Sequence, residues 1–330
     1  MTVRAISEVL ALASLALLVL AATLVPPGTS SATADEPRLS SITEAEWDVA
    51  PGTQACFPGA NPGETELLTC EYGDRGPRLL LVGDSHMRAL SPAFRRLAEE
   101  GKIRVTLLTR SRCGWTTRRL DHDLPWVAGE CEQWRAKVQR YIRDQKDLRA
   151  IVTNHRAKWM EGKEAQRGPD TVEAWRVALD RKIPVIAVSG APHWPSTPPD
   201  CLRKNPAPRQ WKDCTAPTDE VMSFDWTVPA VDLARRKYGP SAAFRIDMLD
   251  TYCPGGVCRT VTPQGQIMYR DEQHLTGTYT RALAPVFEKQ LRATGVVFPQ
   301  PRKPRTAVLA HLISLLTHAV ARTTLTTAVA

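Results

Sequence analysis

The sequence has no C-x-x-C pair, although its 330 residues include eight cysteines. Zinc sites commonly hold the metal with such pairs, so their absence weighs against a zinc site. The chain also lacks a long basic stripe with interleaved aromatic residues, although its formal net charge is +8. This absence weighs against nucleic-acid binding, and the charge instead favours an anionic lipid or polymer at a cell surface as a neighbour.

Charged residues are also missing from the N-terminal run 9–25, which is mostly Leu, Ala and Val. The run is slightly longer than the hydrophobic region of a secretory signal, about 7–15 residues, and lies at the short limit of a membrane span, about 17–25 residues. Pro26 and Pro27 end it, and Ala32-Thr33-Ala34 is a candidate cleavage site. We therefore predict that residues 1–34 are a signal peptide or a signal anchor. In either case the body is exported and lies outside the cytoplasm, secreted or anchored to the membrane.

The cysteines fall in four neighbouring couples, each flanked by Pro, Gly or Trp. In an oxidising compartment an even number of cysteines in loops indicates disulfides. Eight cysteines allow 105 pairings in principle, with free buried cysteines as the alternative. Local loops favour Cys56 with Cys70, Cys113 with Cys131, Cys201 with Cys214, and Cys253 with Cys258.

From residue 78 onward, apolar runs alternate with stretches that have helical spacing. This alternation predicts a parallel sheet covered by helices on both faces, a doubly wound three-layer α/β/α sandwich. The predicted strands are the Val-, Ile- and Leu-rich runs 79–83, 103–109, 149–153, 183–189 and 243–248. The predicted helices are 86–100, 132–146, 168–181 and 226–238.

Three further segments complete the predicted organisation. Residues 35–77, with several prolines and the first cysteine couple, predict a lead-in that packs on the body formed by residues 78–295. Residues 296–330 form an apolar C-terminal tail whose role the sequence leaves open. The insertions 110–131 and 190–225 each follow a predicted strand, so both belong at the carboxyl ends of the strands, where open α/β sheets bind ligands.

The stretch LLLVGDSHMRAL, residues 79–90, places three consecutive polar residues where a buried strand ends and a helix begins. Gly83 permits a tight turn, and the unpaired amides of the first helical turn can stabilise an oxyanion. Ser85 on this turn would present its hydroxyl at the carboxyl edge of the sheet. A serine hydroxyl needs a base to become a strong nucleophile.

The late stretch MYRDEQHLTGTYTRAL, residues 268–283, supplies a candidate base. Asp271 precedes His274 by three residues, a spacing that places both side chains on one face of a turn. The carboxylate can then hold the imidazole through Nδ1 and leave Nε2 directed to Ser85. The stretch around Ser85 is not the G-x-S-x-G elbow of α/β-hydrolases, because His86 stands where that motif needs glycine.

The combination of G-D-S-H near the start and D-E-Q-H-L near the end resembles the SGNH, or GDSL-like, hydrolase family. With its cysteine-containing insertions the chain is most similar to the SGNH domain fused to acyltransferase-3 membrane proteins, which O-acetylate cell-surface carbohydrates. The resemblance covers roughly residues 50–295. It implies the same three-layer sandwich, with a mostly parallel five-stranded sheet of the SGNH and flavodoxin-like kind and disulfide-stapled loop insertions.

By this resemblance Ser85 is the nucleophile, His274 is general base and then acid, and Asp271 orients the imidazole. The resemblance implies neither a metal ion nor an organic cofactor. Asp84 is predicted to hydrogen-bond the turn and anchor the neighbouring loops. His86 is predicted either to help bind substrate or to pack under a loop.

The family forms its oxyanion hole from the serine amide, a glycine after the second strand and an asparagine after the third. In this sequence the corresponding candidates are the amide of Ser85 with Gly114 and Asn154. Both positions depart from the family pattern: Gly114 follows a cysteine rather than lying in a block of small residues, and Asn154 precedes a histidine rather than an aspartate.

We therefore predict a serine-dependent O-acyl transferase or esterase that moves or removes a small acyl group, most simply acetyl, on cell-surface carbohydrate. Such an enzyme would need an acyl donor or a membrane partner for the transfer reaction. One alternative is a glycan-binding domain that keeps the fold without turnover. Another is a metal-dependent phosphoesterase that uses Asp84 and His86 as ligands, but such sites need several further ligands that the sequence does not offer in the expected motifs.

Overall fold

The computed structural model of the chain describes residues 41–59, 61–119, 124–156 and 164–298. The predicted signal segment 1–34 and residues 299–330 of the predicted tail lie outside these residues. The strands are β1 Cys70–Tyr72, β2 Arg78–Gly83, β3 Arg104–Thr109, β4 Leu148–Asn154, β5 Val185–Val188, β6 Thr215–Pro217, β7 Ala243–Ile246 and β8 Val257–Arg259.

Five of these strands form the predicted parallel sheet. The order across the sheet is β1-β3-β2-β4-β5-β7, and β3, β2, β4, β5 and β7 run parallel. The prediction of five parallel strands is confirmed. A sixth strand, β1, adds to one edge in antiparallel orientation, and the sequence did not reveal it because its three residues are too few to show an alternating pattern.

The helices cover both faces of this sheet. They are α1 Ile42–Trp47, α2 Ser85–Glu99, α3 Pro125–Asp144, α4 Glu164–Leu179, α5 Pro198–Lys204, α6 Thr218–Val221, α7 Thr227–Tyr238, α8 Leu249–Tyr252, α9 Gly277–Ala282 and α10 Ala284–Thr294. Within the described residues, short 3-10 helices lie at Gln54–Cys56, Pro208–Cys214 and Pro254–Gly256. Within the described residues no helix is both long and apolar enough to cross a membrane.

Each strand divides its apolar side chains between two cores, because successive residues of a strand point to opposite faces. Leu79 and Leu81 of β2 belong to one core, together with Phe94 of α2 and Phe287 of α10. Leu80 and Val82 belong to the other, which α3 and α4 cover with Trp134 and Trp175, and to which Trp226, directly before α7, also belongs. The three layers therefore follow from continuous apolar strands between amphipathic helices.

The helix predicted over 132–146 begins seven residues earlier, at Pro125. Proline is favoured at the first helical position, where its missing N–H is not needed. The first insertion therefore ends before Pro125 and is shorter than predicted. The second insertion, 190–225, contains α5, α6 and β6, and β6 pairs with β8 in a small antiparallel sheet.

Four disulfides join neighbouring parts of the described chain, in the pairings that the local loops favoured. They are Cys56–Cys70, Cys113–Cys131, Cys201–Cys214 and Cys253–Cys258. The first ties the Gln54–Cys56 turn of the lead-in segment to strand β1. The lead-in therefore supplies both an edge strand and a crosslink beside it.

Candidate active site

Ser85 is the first residue of α2, directly after the turn that ends β2. The turn needs glycine at position 83, because a Cβ atom there would collide with the carbonyl oxygen of Asn154 and lie 2.8 Å from the Cβ of Met87. Gly83 and Asn154 are paired across β2 and β4, so this close approach sets the spacing of the two central strands. The close packing places Ser85 at the carboxyl edge of the sheet.

Asp84 caps α2 and holds a neighbouring loop. Its Oδ1 accepts a hydrogen bond from the His86 N–H at 2.8 Å, and its Oδ2 accepts one from the Arg156 N–H at 2.9 Å. Burial alone would raise the pKa of this carboxyl group, but the nearby His86 and His155 and the two backbone donors lower it overall. Asp84 thus joins the turn before Ser85 to the segment after β4, the anchoring contact expected from the sequence.

Ser85, His274 and Asp271 are connected by hydrogen bonds, although Ser85 and His274 are 189 positions apart. The Ser85 Oγ lies 2.8 Å from His274 Nε2. On the other side of the ring, His274 Nδ1 lies 2.8 Å from Asp271 Oδ2 and 2.9 Å from Oδ1. With its proton on Nδ1, facing the carboxylate, the imidazole presents the Nε2 lone pair to the serine hydroxyl.

The carboxylate of Asp271 is held in its ionised form. Burial would raise its pKa, but the hydrogen bond and charge of His274, together with Arg270, lower the pKa well below its usual range. Arg270 Nη1 lies 3.3 Å from Asp271 Oδ2. The N–H groups of Gln273 and His274 also donate to Asp271 Oδ1, at 3.0 and 2.7 Å. The side chain that orients the imidazole is therefore itself fixed by its own loop.

That loop is closed at its base by a β-bridge between Tyr269 and Leu275. The Arg270 N–H donates to the His274 carbonyl at 3.0 Å, and the Trp194 N–H donates to the Glu272 carbonyl at 2.8 Å. The second insertion therefore contributes a hydrogen bond that supports the loop carrying Asp271 and His274. Because Trp194 is only 6% exposed and packs edge-on against Tyr269, it is part of the packing here.

The candidate oxyanion-hole residues are in different situations. Asn154 ends β4 beside Gly83, but its Nδ2 donates to the carbonyls of Val188 and Ser189, at 2.8 and 3.2 Å. Gly114 is buried, and a Cβ atom on it would meet the ring of His155 at 3.0 Å. The oxyanion roles of Gly114 and Asn154 therefore stay predictions, while the Ser85 amide belongs to the unpaired first turn of α2.

His86 faces inward, next to the ring of His274. The two ring centroids are 4.9 Å apart with an edge-to-face geometry. Burial lowers the pKa of His86 to about 4, so the ring is neutral at physiological pH. Its Nε2 is buried without a hydrogen-bond partner.

A small cavity lies between the start of α2 and the Asp271–His274 loop. Its lining includes three side chains with a buried polar atom that has no hydrogen-bond partner among the described residues, namely His86 Nε2, Gln273 Oε1 and Tyr252 OH. Its apolar walls include Ala89, Leu90, Ala191 and Leu275. The centre of a water molecule could occupy a volume of about 10 Å³ in it. The cavity therefore has room for one water molecule or one small group.

Four residues of this region were not identified from the sequence: Arg88, Arg270, Gln273 and Tyr252. Arg88 and Arg270 stand close to the two motifs in the chain, and that proximity is the only sequence feature that could have indicated them. Tyr252 comes from α8, between the two motifs, and no local pattern marks it. Within the described residues, no group of three or more His, Cys, Asp and Glu side chains is arranged to hold a metal ion.

The chain matches a family model described as the SGNH domain fused to AT3 domains, over residues 55–289. No curated protein matches it in sequence. The periplasmic domain of a lipopolysaccharide acetyltransferase from Salmonella ser. Paratyphi A is structurally similar, with 14% identity, a TM-score of 0.52, and coverage of 72% of this chain and 92% of that one. At this identity the similarity shows a shared fold.

Two further solved structures are more distant. A carbohydrate acetylesterase family member from Sinorhizobium meliloti has 16% identity and a TM-score of 0.39, and the match covers 66% of this chain and 98% of that one. A GDSL-like lipase from Bacteroides thetaiotaomicron has 14% identity and a TM-score of 0.34, with 66% and 88% covered.

Proposed function

Because the chain belongs to the family of SGNH domains fused to AT3 domains, we propose that it transfers or hydrolyses O-acyl groups on carbohydrate with Ser85 as nucleophile. The observation that carries this proposal is the hydrogen-bonded series Ser85–His274–Asp271 at the carboxyl edge of the sheet. A nucleophile, a base within hydrogen-bond reach and a group that orients the base are the parts that acyl transfer needs.

In the first half of the reaction, His274 Nε2 takes the hydroxyl proton as Ser85 Oγ attacks the carbonyl carbon of the acyl donor. The tetrahedral intermediate carries its negative charge on the former carbonyl oxygen. The Ser85 amide can donate to that oxygen, and Gly114 and Asn154 are candidates to assist. Collapse breaks the bond to the leaving alcohol, which takes the proton from His274 and leaves an acyl-serine.

In the second half, His274 removes a proton from the accepting hydroxyl as its oxygen attacks the acyl-serine carbonyl. Collapse releases Ser85, which recovers its proton from His274. Water as acceptor gives a carboxylic acid, and a sugar hydroxyl gives a new ester. Throughout, the Asp271 carboxylate stabilises the imidazolium that forms and keeps Nδ1 protonated.

The small cavity beside His86 supports a short acyl group. The cavity is narrow and is walled by Leu90 and Leu275, so a methyl group fits it more readily than a long acyl chain. Acetyl is therefore the acyl group we propose. The acetyltransferase activity named for the Salmonella domain agrees with this choice.

We further propose that the chain acts outside the cytoplasm. Four disulfides form and persist in oxidising compartments, and the structurally similar Salmonella domain is periplasmic. The fusion of related domains to AT3 membrane domains supports a membrane partner that would supply acyl groups. Residues 1–34 would direct export as a signal peptide or anchor, and residues 35–77 would complete the catalytic domain 78–295.

The test measures acetate release from p-nitrophenyl acetate by the full chain, made under oxidising conditions, with and without EDTA. We expect Ser85→Ala to abolish the activity, because Ser85 Oγ is the hydroxyl that His274 Nε2 contacts. Ser241→Ala is the matched control, since Ser241 is exposed at the opposite end of the sheet and should leave the rate unchanged.

Two results would contradict this proposal. One is activity that survives in Ser85→Ala and disappears with EDTA, which would favour metal-dependent chemistry. The other is a folded wild-type protein with neither acetate release nor an acetylated Ser85 detectable by mass spectrometry after incubation with the ester, which would favour a binding domain.

A further inference from the structure

Arg88 lies on α2 three residues after Ser85, a spacing that puts both side chains on one side of the helix. The Arg88 guanidinium is held from two directions. Its Nε donates to Thr53 Oγ1 at 2.7 Å, and its Cζ lies 4.2 Å from the ring centroid of Phe57. Thr53 is itself 1% exposed and donates to the Ala50 carbonyl at 2.7 Å. The guanidinium is therefore preorganised rather than mobile on the surface.

Arg88 has no anionic partner in the part of the chain that the structure describes. No carboxylate of these residues lies within 4.0 Å of its guanidinium, and its two terminal nitrogens donate to no protein acceptor. Burial and the positive charge of neighbouring Arg270 lower the pKa of Arg88 to about 10, so it is still charged at neutral pH. A partly buried cation beside another cation is electrostatically unfavourable unless an anion joins them.

Arg270 approaches from the other motif. It directly precedes Asp271 and contacts its Oδ2 at 3.3 Å, so it lies next to the hydrogen-bonded series. The two guanidinium groups thus come from the two motifs of the candidate site, one from the Ser85 helix and one from the His274 loop. Arginine pairs in this situation are suited to carboxylate and phosphate groups, which accept two parallel hydrogen bonds from each guanidinium.

We propose that Arg88 and Arg270 form a subsite for an anionic group of the carbohydrate, a carboxylate or a phosphate, next to Ser85. The inference rests on the proposed function for the identity of the ligand as a glycan. It adds that the glycan is an acidic one and names the residues that select it. The lead-in segment has a role in this subsite, because Thr53 and Phe57 flank Cys56, which the disulfide to Cys70 holds against β1.

Binding is measured first, on the full-length Ser85→Ala protein, so that turnover plays no part. The probes are methyl glucuronoside, glucose 6-phosphate and the neutral methyl glucoside, titrated by calorimetry at low and high salt. We expect at least one acidic probe to bind about 10-fold more tightly than the neutral one, and the preference to shrink at high salt. The two acidic probes distinguish a carboxylate from a phosphate ligand.

Variants added to that protein test Arg88. Arg88→Gln should reduce the preference to less than about 3-fold, and Arg88→Lys should retain part of it, because lysine keeps the charge but not the paired donors. If Arg88→Gln alters folding, its melting curve shows this and the lysine variant carries the test. Arg176→Gln is the matched control, since Arg176 is exposed on α4 and pairs with Glu173. Equal affinity for acidic and neutral probes, or a preference that survives Arg88→Gln, would overturn the proposal.

The wild-type protein is then compared on acetylated acidic and neutral sugars. We expect kcat/KM to favour the acidic ester by about 10-fold, Arg88→Gln to remove this preference, and the control Arg176→Gln to retain it. Anion binding that depends on Arg88 without Ser85-dependent turnover would leave the subsite standing and refute the proposed function. Ser85-dependent turnover without any preference for acidic sugars would support the proposed function and refute the anionic subsite.

Discussion

The arginines at the two ends of the parallel sheet have different surroundings. At the amino end, each guanidinium nitrogen of Arg78 has an acceptor. Its partners are Thr106, Tyr141, Gln145, Asp147 and, more distantly at 3.5 Å, Glu71. At the carboxyl end, Arg88 has one hydroxyl partner and no carboxylate among the described residues. Among the described residues, every guanidinium nitrogen of Arg78 has an acceptor, whereas only Nε of Arg88 does.

The neutral polar groups around the cavities at the two ends of the sheet also have different surroundings. At the carboxyl end, His86, Gln273 and Tyr252 line one small cavity, and each has a buried polar atom without a hydrogen-bond partner among the described residues. A larger hollow of about 280 Å³ lies at the amino ends of β5 and β7, but Lys182 is the only charged side chain that lines it. This contrast makes the cavity at the carboxyl end the better candidate for ligand binding.

The largest expected effect comes from removing the charge that orients His274. Asp271→Asn should lower kcat/KM for p-nitrophenyl acetate about 10²–10⁴-fold, because an amide can donate to Nδ1 and favour the wrong imidazole tautomer. Asp180→Asn, at an exposed position after α4, is the control and should leave the rate unchanged. A loss of less than about 3-fold would remove Asp271 from the mechanism.

Asp84, at the carboxyl end, has both its carboxylate oxygens satisfied by backbone N–H groups. We expect Asp84→Asn to lower the free energy of unfolding by about 2–3 kcal/mol at neutral pH, since an amide cannot accept from both N–H groups. The folded-state pKa of Asp84 is below its ordinary value of 3.8, so its stabilisation is complete above that value and is lost as the pH falls through the lower folded pKa.

The measurement for this variant is urea unfolding at several pH values. The gap between wild type and Asp84→Asn should narrow as the pH falls from about 6 to about 2. A gap that is independent of pH would mean that the carboxylate charge is not what holds the turn.

At the amino end of the sheet, we expect the loss of the Arg78 contacts to lower the stability of the protein without lowering its activity. Arg78→Met should lower the free energy of unfolding by about 1–2 kcal/mol, because the side chains of Glu71 and Asp147 are 56% and 47% exposed and recover water when the guanidinium is removed. Urea unfolding and kcat are measured on the same preparation. A lower kcat with an unchanged free energy of unfolding would show that the amino end of the sheet contributes to activity, contrary to this prediction.

The smallest effect concerns the cavity. Leu90→Ala should raise the rate with p-nitrophenyl butyrate relative to acetate by about 5-fold, because it enlarges the wall that limits the acyl group. Leu97→Ala is the matched control, since Leu97 is buried on the same helix but does not line the cavity. Both variants lose stability, by about 2–5 kcal/mol, so the ratio of rates is the informative quantity. An equal change in the butyrate-to-acetate rate ratio of the two variants would show that the cavity does not select the acyl group.

The local patterns of the sequence predicted most of the fold. Five apolar runs became the five parallel strands, because a buried parallel strand must be apolar on both faces. Strand β1 was missed, since three residues carry no readable period. The start of α3 was also missed, although Pro125 is of a type favoured at the first helical position. The neighbouring cysteine couples indicated the disulfides because short loops bring their ends together easily.

The sequence by itself determined the reactive groups of the candidate site, since Gly83–Ser85 and Asp271–His274 are short motifs whose spacing carries their chemistry. Only the tertiary structure decided what surrounds them. Thr53 contacts Arg88, and Tyr252 lines a cavity with His86 and Gln273, because distant segments pack at one edge of the sheet. No local period encodes such contacts, because they depend on how distant segments fill the same space.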